Sequence, residues 1–512
     1  MGLKRTLYLL LFSAFIQSQL IYGQGTSEKK EECNYFTTLI TDYPDPFVVY
    51  DETIGVYILT GTGGPGITIK SSPTLEGLRS AKKVQIYFPE RQEGPDQLLW
   101  APEIHKLNDK WYVYFTGHRT GEKSKGIQSK QRMHVLECTS EDPVSGEWIY
   151  KGKIGGTEQR HGIDGTVFEL NDQLFYVWSG PPKGFPIGQS TWIAPMINPW
   201  TLGDKWSNIS KVGKAWEGTV SFPIFGVMEG QQILRSMGKV YLAYSTFGYL
   251  DDRYRIGMLV MDEQDDPMNK KSWTKMNGPV FEQNPEENVF STGHHCFFKS
   301  PDGSEYWFMY HARSTSIGMK WKWSPDLPIR YCRAQPLSFD ANGTPVFGTA
   351  VNGGTTQCAP SGEQREPSHK VLNNGSYFIR NKQSGLYLKI ENCNPERGGQ
   401  LIIDSLGTSK CSVWRVQAIQ KEDNFTISAE YGGMMLVAAA SDNPEGYICQ
   451  TWGPSGQEQQ HWVVTKTDTI GQFVLQNSDN GSALSAIEGN RVSSELLNTT
   501  SGQLWEFVPF SD

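Results

Sequence analysis

The sequence predicts an all-β protein built from two successive arrays of repeats, and the first array reads as a five-bladed β-propeller. Three observations carry this. An aromatic-led apolar strand ending in small residues recurs five times, as Val-Tyr57-Ile-Leu-Thr-Gly, Trp-Tyr112-Val-Tyr-Phe-Thr-Gly, Leu-Phe175-Tyr-Val-Trp-Ser-Gly, Val-Tyr241-Leu-Ala-Tyr-Ser and Tyr-Trp307-Phe-Met-Tyr-His. The leads lie 55, 63, 66 and 66 residues apart, the regularity expected of copies of one β unit. Hairpin signals (Asn108-Asp109, Asn171-Asp172, Met237-Gly238, Asp302-Gly303) stand before four of the five strands, where tight turns are needed.

Each element follows in order. Residues 34–356 hold the five units, each long enough for four short antiparallel strands. Alternation within the repeat strands is poor, as expected when both faces are covered by neighbours, and no long helical periodicity interrupts them. Residues 357–370 are polar, Pro-bearing and without pattern, and read as a linker. Residues 371–510 form a second array in which Ser376-Tyr-Phe-Ile, Asn424-Phe-Thr-Ile and Gln472-Phe-Val-Leu each open a unit. Trp414, Trp462 and Trp505 close the units, 48 and 43 residues apart.

Bulk properties narrow the function. At 512 residues the chain has length for two substantial cores. Lys4-Arg5, the apolar run Leu7 to Phe15 and small Gly23 read as a signal peptide over 1–23, too short for a membrane span. The mature protein is therefore expected to be secreted and extracellular. Six sequons (Asn208, Asn342, Asn374, Asn424, Asn480, Asn498) fit such a route, and eight cysteines permit disulfides. A net charge of −8 argues against nucleic acid or anionic membrane as partner. Aromatics at 12%, with 16 Trp, suit a polysaccharide or oligosaccharide partner, because indole faces pack on the apolar C–H faces of sugar rings.

About twelve residues before each lead aromatic stand Asp45, Trp100, Asp164, Glu229 and His294. In a propeller these equivalent positions face one another around the axis. Inverting glycoside hydrolysis needs a carboxylate to activate water and a carboxylic acid to protonate the leaving oxygen, roughly 6.5–9.5 Å apart. A third carboxylate raises the pKa of the acid by like-charge repulsion.

The first array resembles glycoside hydrolase family 43, most nearly its α-L-arabinofuranosidase branch. The resemblance rests on Pro44-Asp45-Pro46-Phe47, Ile67 to Gly77, Trp100-Ala-Pro-Glu103-Ile-His, Ile163-Asp164-Gly-Thr166, Glu229-Gly230, Gly293-His294 and Tyr310-His311-Ala-Arg313. It implies Asp45 as general base, Asp164 as pKa modulator and Glu229 as general acid. Glu217, in Trp216-Glu217-Gly218, is the rival acid, because Gln231 stands where the family has Pro. Trp100, His294 and Arg333 are the implied substrate-binding residues. Arg333 anchors a substrate hydroxyl or a site carboxylate, or pairs at the surface. Glu103 reads as a structural partner. No cofactor is required; the resemblance adds Ca2+ at the axis with His294 as its ligand, an alternative to a histidine held by hydrogen bonds.

The second array resembles a ricin-type β-trefoil with Gln-X-Trp closures, intact at Gln460-His-Trp462 and Gln503-Leu-Trp505. That resemblance implies a Cys393–Cys411 disulfide. No Asp stands at the family's sugar-pocket positions, leaving Glu391 as one substitute, so the domain is either a structural appendage or a weak polysaccharide anchor. The expected activity is a secreted inverting hydrolase removing terminal α-L-arabinofuranosyl residues from arabinan- or arabinoxylan-type plant polysaccharides. A β-xylosidase or endo-arabinanase on the same fold, and a carbohydrate-binding protein without catalysis, are the alternatives. The loop Ser314–Leu327, with Trp321 and Trp323, bears on exo against endo action.

Overall fold

The computed structural model describes residues 33–510 except 65, 92, 124–129, 157–160, 185–187, 219–225, 365–370, 408, 420–422, 440–446 and 499. The signal-peptide reading over 1–23 and the end of the 357–370 linker lie outside the described residues.

Five antiparallel sheets form the propeller, each running from an inner strand outward. The inner strand of blade one is Phe47–Asp51, and those of blades two to five are Gln97–Leu107, Ile163–Leu170, Glu229–Ser236 and Phe290–Lys299. The second strands carry the repeated motif: Val56–Thr60, Lys110–His118, Gln173–Gly180, Lys239–Thr246 and Tyr306–Arg313. The turn dipeptides join these pairs. Asn108 and Asp109, Asn171 and Asp172, and Met237 and Gly238 all have positive φ, the backbone a two-residue hairpin requires if its twist is to match the strands.

Blade five is closed from the far end of the propeller. Leu39–Thr41 pairs antiparallel with Tyr331–Phe339, placing Leu39 opposite Arg333. The expected linker begins as a strand, since Thr356–Cys358 pairs with Tyr35–Thr37. Both ends of the propeller are thereby tied together.

The second array is a trefoil with a 12-stranded sheet system. Trp414, Trp462 and Trp505 are fully buried in one core, and each indole N–H donates to a leucine carbonyl of its own repeat: Leu388 at 2.9 Å, Leu436 at 3.1 Å and Leu484 at 2.9 Å. The Cys393–Cys411 disulfide forms, with Cα atoms 5.4 Å apart. Cys138, Cys296, Cys332 and Cys449 are buried free thiols.

Propeller and trefoil share contacts within one compact unit, 35–512. The short helix Leu75–Ser80, N-capped by Thr74, supplies Arg79. Arg79 is buried, pairs with Glu76 at 3.2 Å and donates to the Leu39 carbonyl and, at 3.1 Å, to that of Gly433 in the trefoil. Leu39, Tyr331 and Met434 pack beside it.

Candidate active site

At the head of each inner strand the backbone breaks from the ladder. Asp45, Ala101, Asp164, Gly230 and His294 all adopt positive φ, from 44° to 57°, and pairing shifts register at these points in blades two to five. Left-handed backbone is rare for residues other than glycine and costs energy. Its clustering around one axis marks a functional site. Gly230 is glycine for a further reason: a Cβ there would stand 3.2 Å from the His294 ring.

At each of these left-handed residues the N–H leaves the ladder, and each is caught by a side chain of the preceding blade. Thr62 Oγ1 accepts from Ala101 at 2.7 Å, Thr116 Oγ1 from Asp164 at 3.3 Å, and Asp164 Oδ2 from Gly230 at 3.1 Å. Ser245 Oγ accepts from His294 at 2.7 Å, and His311 Nδ1 from Asp45 at 3.2 Å, closing the ring. The small residues ending the repeat motif are therefore the scaffold of the site. Three of these acceptors stand four positions after their leads, Thr116, Ser245 and, in the last repeat, His311, whereas Ser179 of blade three donates to the Met228 carbonyl at 2.7 Å.

This backbone turns three carboxylates inward. Asp45, Asp164 and Glu229 are all buried, at 8%, 4% and 9% exposure. His294 Nδ1 lies 3.5 Å from Asp45 Oδ1 and 4.0 Å from Asp164 Oδ2, so one imidazole faces two of the acids. Arg330 Nη1 donates to Asp45 Oδ1 at 2.7 Å, and the Tyr254 hydroxyl donates to Glu229 Oε1 at 2.8 Å.

The environments separate the acids. Burial alone would raise the Asp45 pKa, but the Arg330 guanidinium and then His294 outweigh it and hold the carboxyl well below the usual range. His311 Nδ1 also lies 3.2 Å from Asp45 Oδ1. A backbone N–H can only donate, so that nitrogen presents its lone pair to the Asp45 N–H and its approach to Oδ1 is not a hydrogen bond. The His311 ring is neutral, its pKa lowered to about 3 by burial and by Arg330. Asp164 moves the other way, to about 7, because burial and the charges of Glu229 and Asp45 outweigh His294. Glu229 is raised too, by burial first, against His294 and the Tyr254 hydrogen bond. The two titrate as a pair. Burial lowers the His294 pKa, yet Asp45, Asp164 and Glu229 together raise it above the ordinary value.

Glu217 lies outside this cluster. Fully buried, it accepts from Tyr244 at 2.7 Å and Lys275 at 2.6 Å on Oε1, and from the N–H groups of Gly213 at 2.8 Å and Lys214 at 2.7 Å on Oε2. Both its oxygens are engaged in pinning a loop. Glu103 is a structural partner, accepting from Gln232 at 2.6 Å and facing His105 at 3.0 Å.

Arg333 does not reach the acids. It donates to the Val351 carbonyl at 3.1 Å and to Ser314 Oγ at 3.0 Å, and the arginine on Asp45 is Arg330. Trp100 is half-buried on the inner strand of blade two, beside left-handed Ala101. A hard cation at the axis would want six to eight oxygens. One oxygen of each acid is already engaged, Asp45 Oδ1 by Arg330, Asp164 Oδ2 by the Gly230 N–H and Glu229 Oε1 by Tyr254, which leaves too few carboxylate oxygens for such a shell, and among the described residues no group of three or more His, Cys, Asp or Glu has metal-holding spacing. The residues around His294 therefore do not fit Ca2+. In the trefoil Glu391 is exposed at a turn.

Arg330, His311 and Tyr254 were not singled out as site residues by the sequence reading. His311 carried a signal, standing where three of the other repeats have Thr or Ser and the first has Gly61; Tyr254 carried none.

Comparison with known proteins agrees with this geometry. Residues 37–345 match glycosyl hydrolases family 43, and 369–452 match the ricin-type β-trefoil lectin domain-like family. An extracellular exo-alpha-(1->5)-L-arabinofuranosidase of Streptomyces avermitilis is 31% identical over 362 residues, covering 69% of this chain and 72% of that protein. Alpha-L-arabinofuranosidase B of Pyricularia oryzae is 32% identical over 334 residues, covering 64% and 66%. The crystal structure of an alpha-L-arabinofuranosidase from Lactobacillus brevis superposes with a TM-score of 0.56 at 33% identity, covering 62% of this chain and 97% of that one. Five blades, three inward acids and these matches lead to one conclusion: the chain belongs to glycosyl hydrolases family 43.

Proposed function

We propose that the protein is a secreted, inverting exo-α-L-arabinofuranosidase acting on arabinan- or arabinoxylan-type chains. The observation that carries this is the cluster of three buried carboxylates, from blades one, three and four, around His294 of blade five. Asp45, kept ionised by Arg330, takes a proton from water as the water attacks the anomeric carbon. Glu229 gives its proton to the glycosidic oxygen as the bond from that carbon breaks. Asp164 keeps a proton available to Glu229 near neutral pH through its charge, and its hold on the Gly230 N–H fixes the Glu229 backbone. Trp100 forms part of the sugar-binding wall. The named activities of the relatives support the substrate class, and two relatives named extracellular, with the apolar N-terminal run, support secretion.

The test is turnover of an aryl α-L-arabinofuranoside by the purified protein, with the anomer first formed read by NMR. Glu229→Gln is expected to lower kcat on a polymeric substrate by about 10²–10⁴ with folding retained. Retained configuration in the product, or wild-type turnover by Glu229→Gln, overturns the assignment.

A further inference from the structure

The loop between the second and third strands of blade five begins and ends at the acids. It leaves the strand that carries His311, next to Arg313, and returns at Arg330, which grips Asp45. Between these points it is pinned. The Asp252 carboxylate accepts from the N–H groups of Ile317 and Gly318, both at 2.8 Å, and the Lys320 N–H donates to the Leu250 carbonyl at 2.8 Å. Tyr249, next to Leu250, lies under the Arg330 guanidinium at 4.3 Å, and its carbonyl accepts from Arg313 at 3.1 Å. An unbroken path thus runs from Asp45 through Arg330, Tyr249, Leu250 and Lys320 to Trp321.

Beyond that anchor the loop exposes apolar surface. Trp321 is 75% exposed, Trp323 59% and Met319 51%. A single exposed apolar side chain is ordinary; two indoles two residues apart on an anchored loop beside buried acids are not. Indole faces suit sugar C–H faces, and the N–H and the flanking Lys320 and Lys322 offer donors to hydroxyls.

Resting on the glycosidase reading above, we propose that Trp321 and Trp323 form a stacking platform for the sugar units of a chain beyond the one held at the acids. The platform makes the enzyme prefer chains over small glycosides. It touches no reacting atom, so its contribution goes into binding the chain.

The experiment compares the full-length wild type with Trp321→Ala/Trp323→Ala on an aryl α-L-arabinofuranoside and on linear arabino-oligosaccharides of two to six units. Wild-type kcat/KM is expected to rise with chain length. The double variant is expected to lose that rise, with KM for the longer chains up roughly tenfold, kcat little changed and the aryl substrate affected less than about twofold. Trp321→Phe/Trp323→Phe should restore most of the preference. Equal loss on all substrates, or an unchanged length dependence, overturns the platform while leaving the hydrolase reading intact. Absence of wild-type turnover on every substrate overturns the hydrolase reading instead. A wild-type dimer by sedimentation that the double variant abolishes, with the length dependence unchanged, assigns the indoles to self-association and also overturns the platform.

Discussion

The propeller axis and the trefoil core use repetition in opposite ways. In the trefoil the equivalent positions keep one chemistry: three buried tryptophans each donate to a leucine carbonyl of their own repeat. At the propeller axis the equivalent positions keep one backbone and change chemistry, becoming Asp45, Trp100 with Ala101, Asp164, Glu229 with Gly230, and His294. A repeated hydrogen bond is a device for folding. A repeated strained backbone carrying unlike polar side chains is a device for catalysis, because the ring of caught N–H groups holds each inward group against its own strain.

The comparison can be broken from the trefoil side first, where the largest stability effect is expected. Trp462→Ala should cost about 3–5 kcal/mol, since it opens a cavity in the core and orphans the Leu436 carbonyl; denaturant unfolding measures it. A small loss would mean that the closures are not equivalent. Next is the contrast between two buried glutamates, Glu217 in the connection that leads into blade four and Glu229 at that blade's head. Glu217→Gln leaves Lys275 without its counter-ion and sets an amide against donors, at a cost of about 3 kcal/mol. Its specific activity at a temperature where it is folded should stay close to wild type, the opposite of Glu229→Gln; a dead but stable Glu217→Gln would reverse the assignment.

The smallest effect sharpens the axis itself. The acid pair has raised pKa values, with Asp164 at about 7, so kcat/KM should fall as pH rises through that region and the acid loses its proton. Asp164→Asn removes a like charge, lowers the Glu229 pKa and moves this limb to lower pH, by about one unit or 1.4 kcal/mol. The sign for stability follows separately. A carboxyl with a raised folded pKa binds a proton that the unfolded chain releases at about 3.9. Wild-type stability therefore declines between that pH and about 7, and the Asn variant should show a flatter profile over this range. An unmoved alkaline limb in the variant removes Asp164 from the proton inventory.

Much of this site was legible because repeats convert spacing into geometry. Counting back from the lead aromatics reaches Asp45, Asp164, Glu229 and His294, and the structure brings these four together. His311 was legible in principle, as the one histidine in a column otherwise of Gly, Thr and Ser. Arg330 was not: it lies outside the strand Tyr331–Phe339, whereas Arg333 lies within it, and linear spacing favours neither.

By itself the sequence determined the number of blades, the hairpin turns, the trefoil closures and the column of residues facing the axis. Each of these is set by a local period or by the φ preference of a turn. Only the tertiary structure decided that Arg330 rather than Arg333 holds Asp45, that Tyr254 meets Glu229, and that Glu217 is a buried pin. Those outcomes depend on which way each side chain points once the ring is closed. Closure brings Asp45 to a partner 285 residues away, a distance over which no local pattern carries orientation.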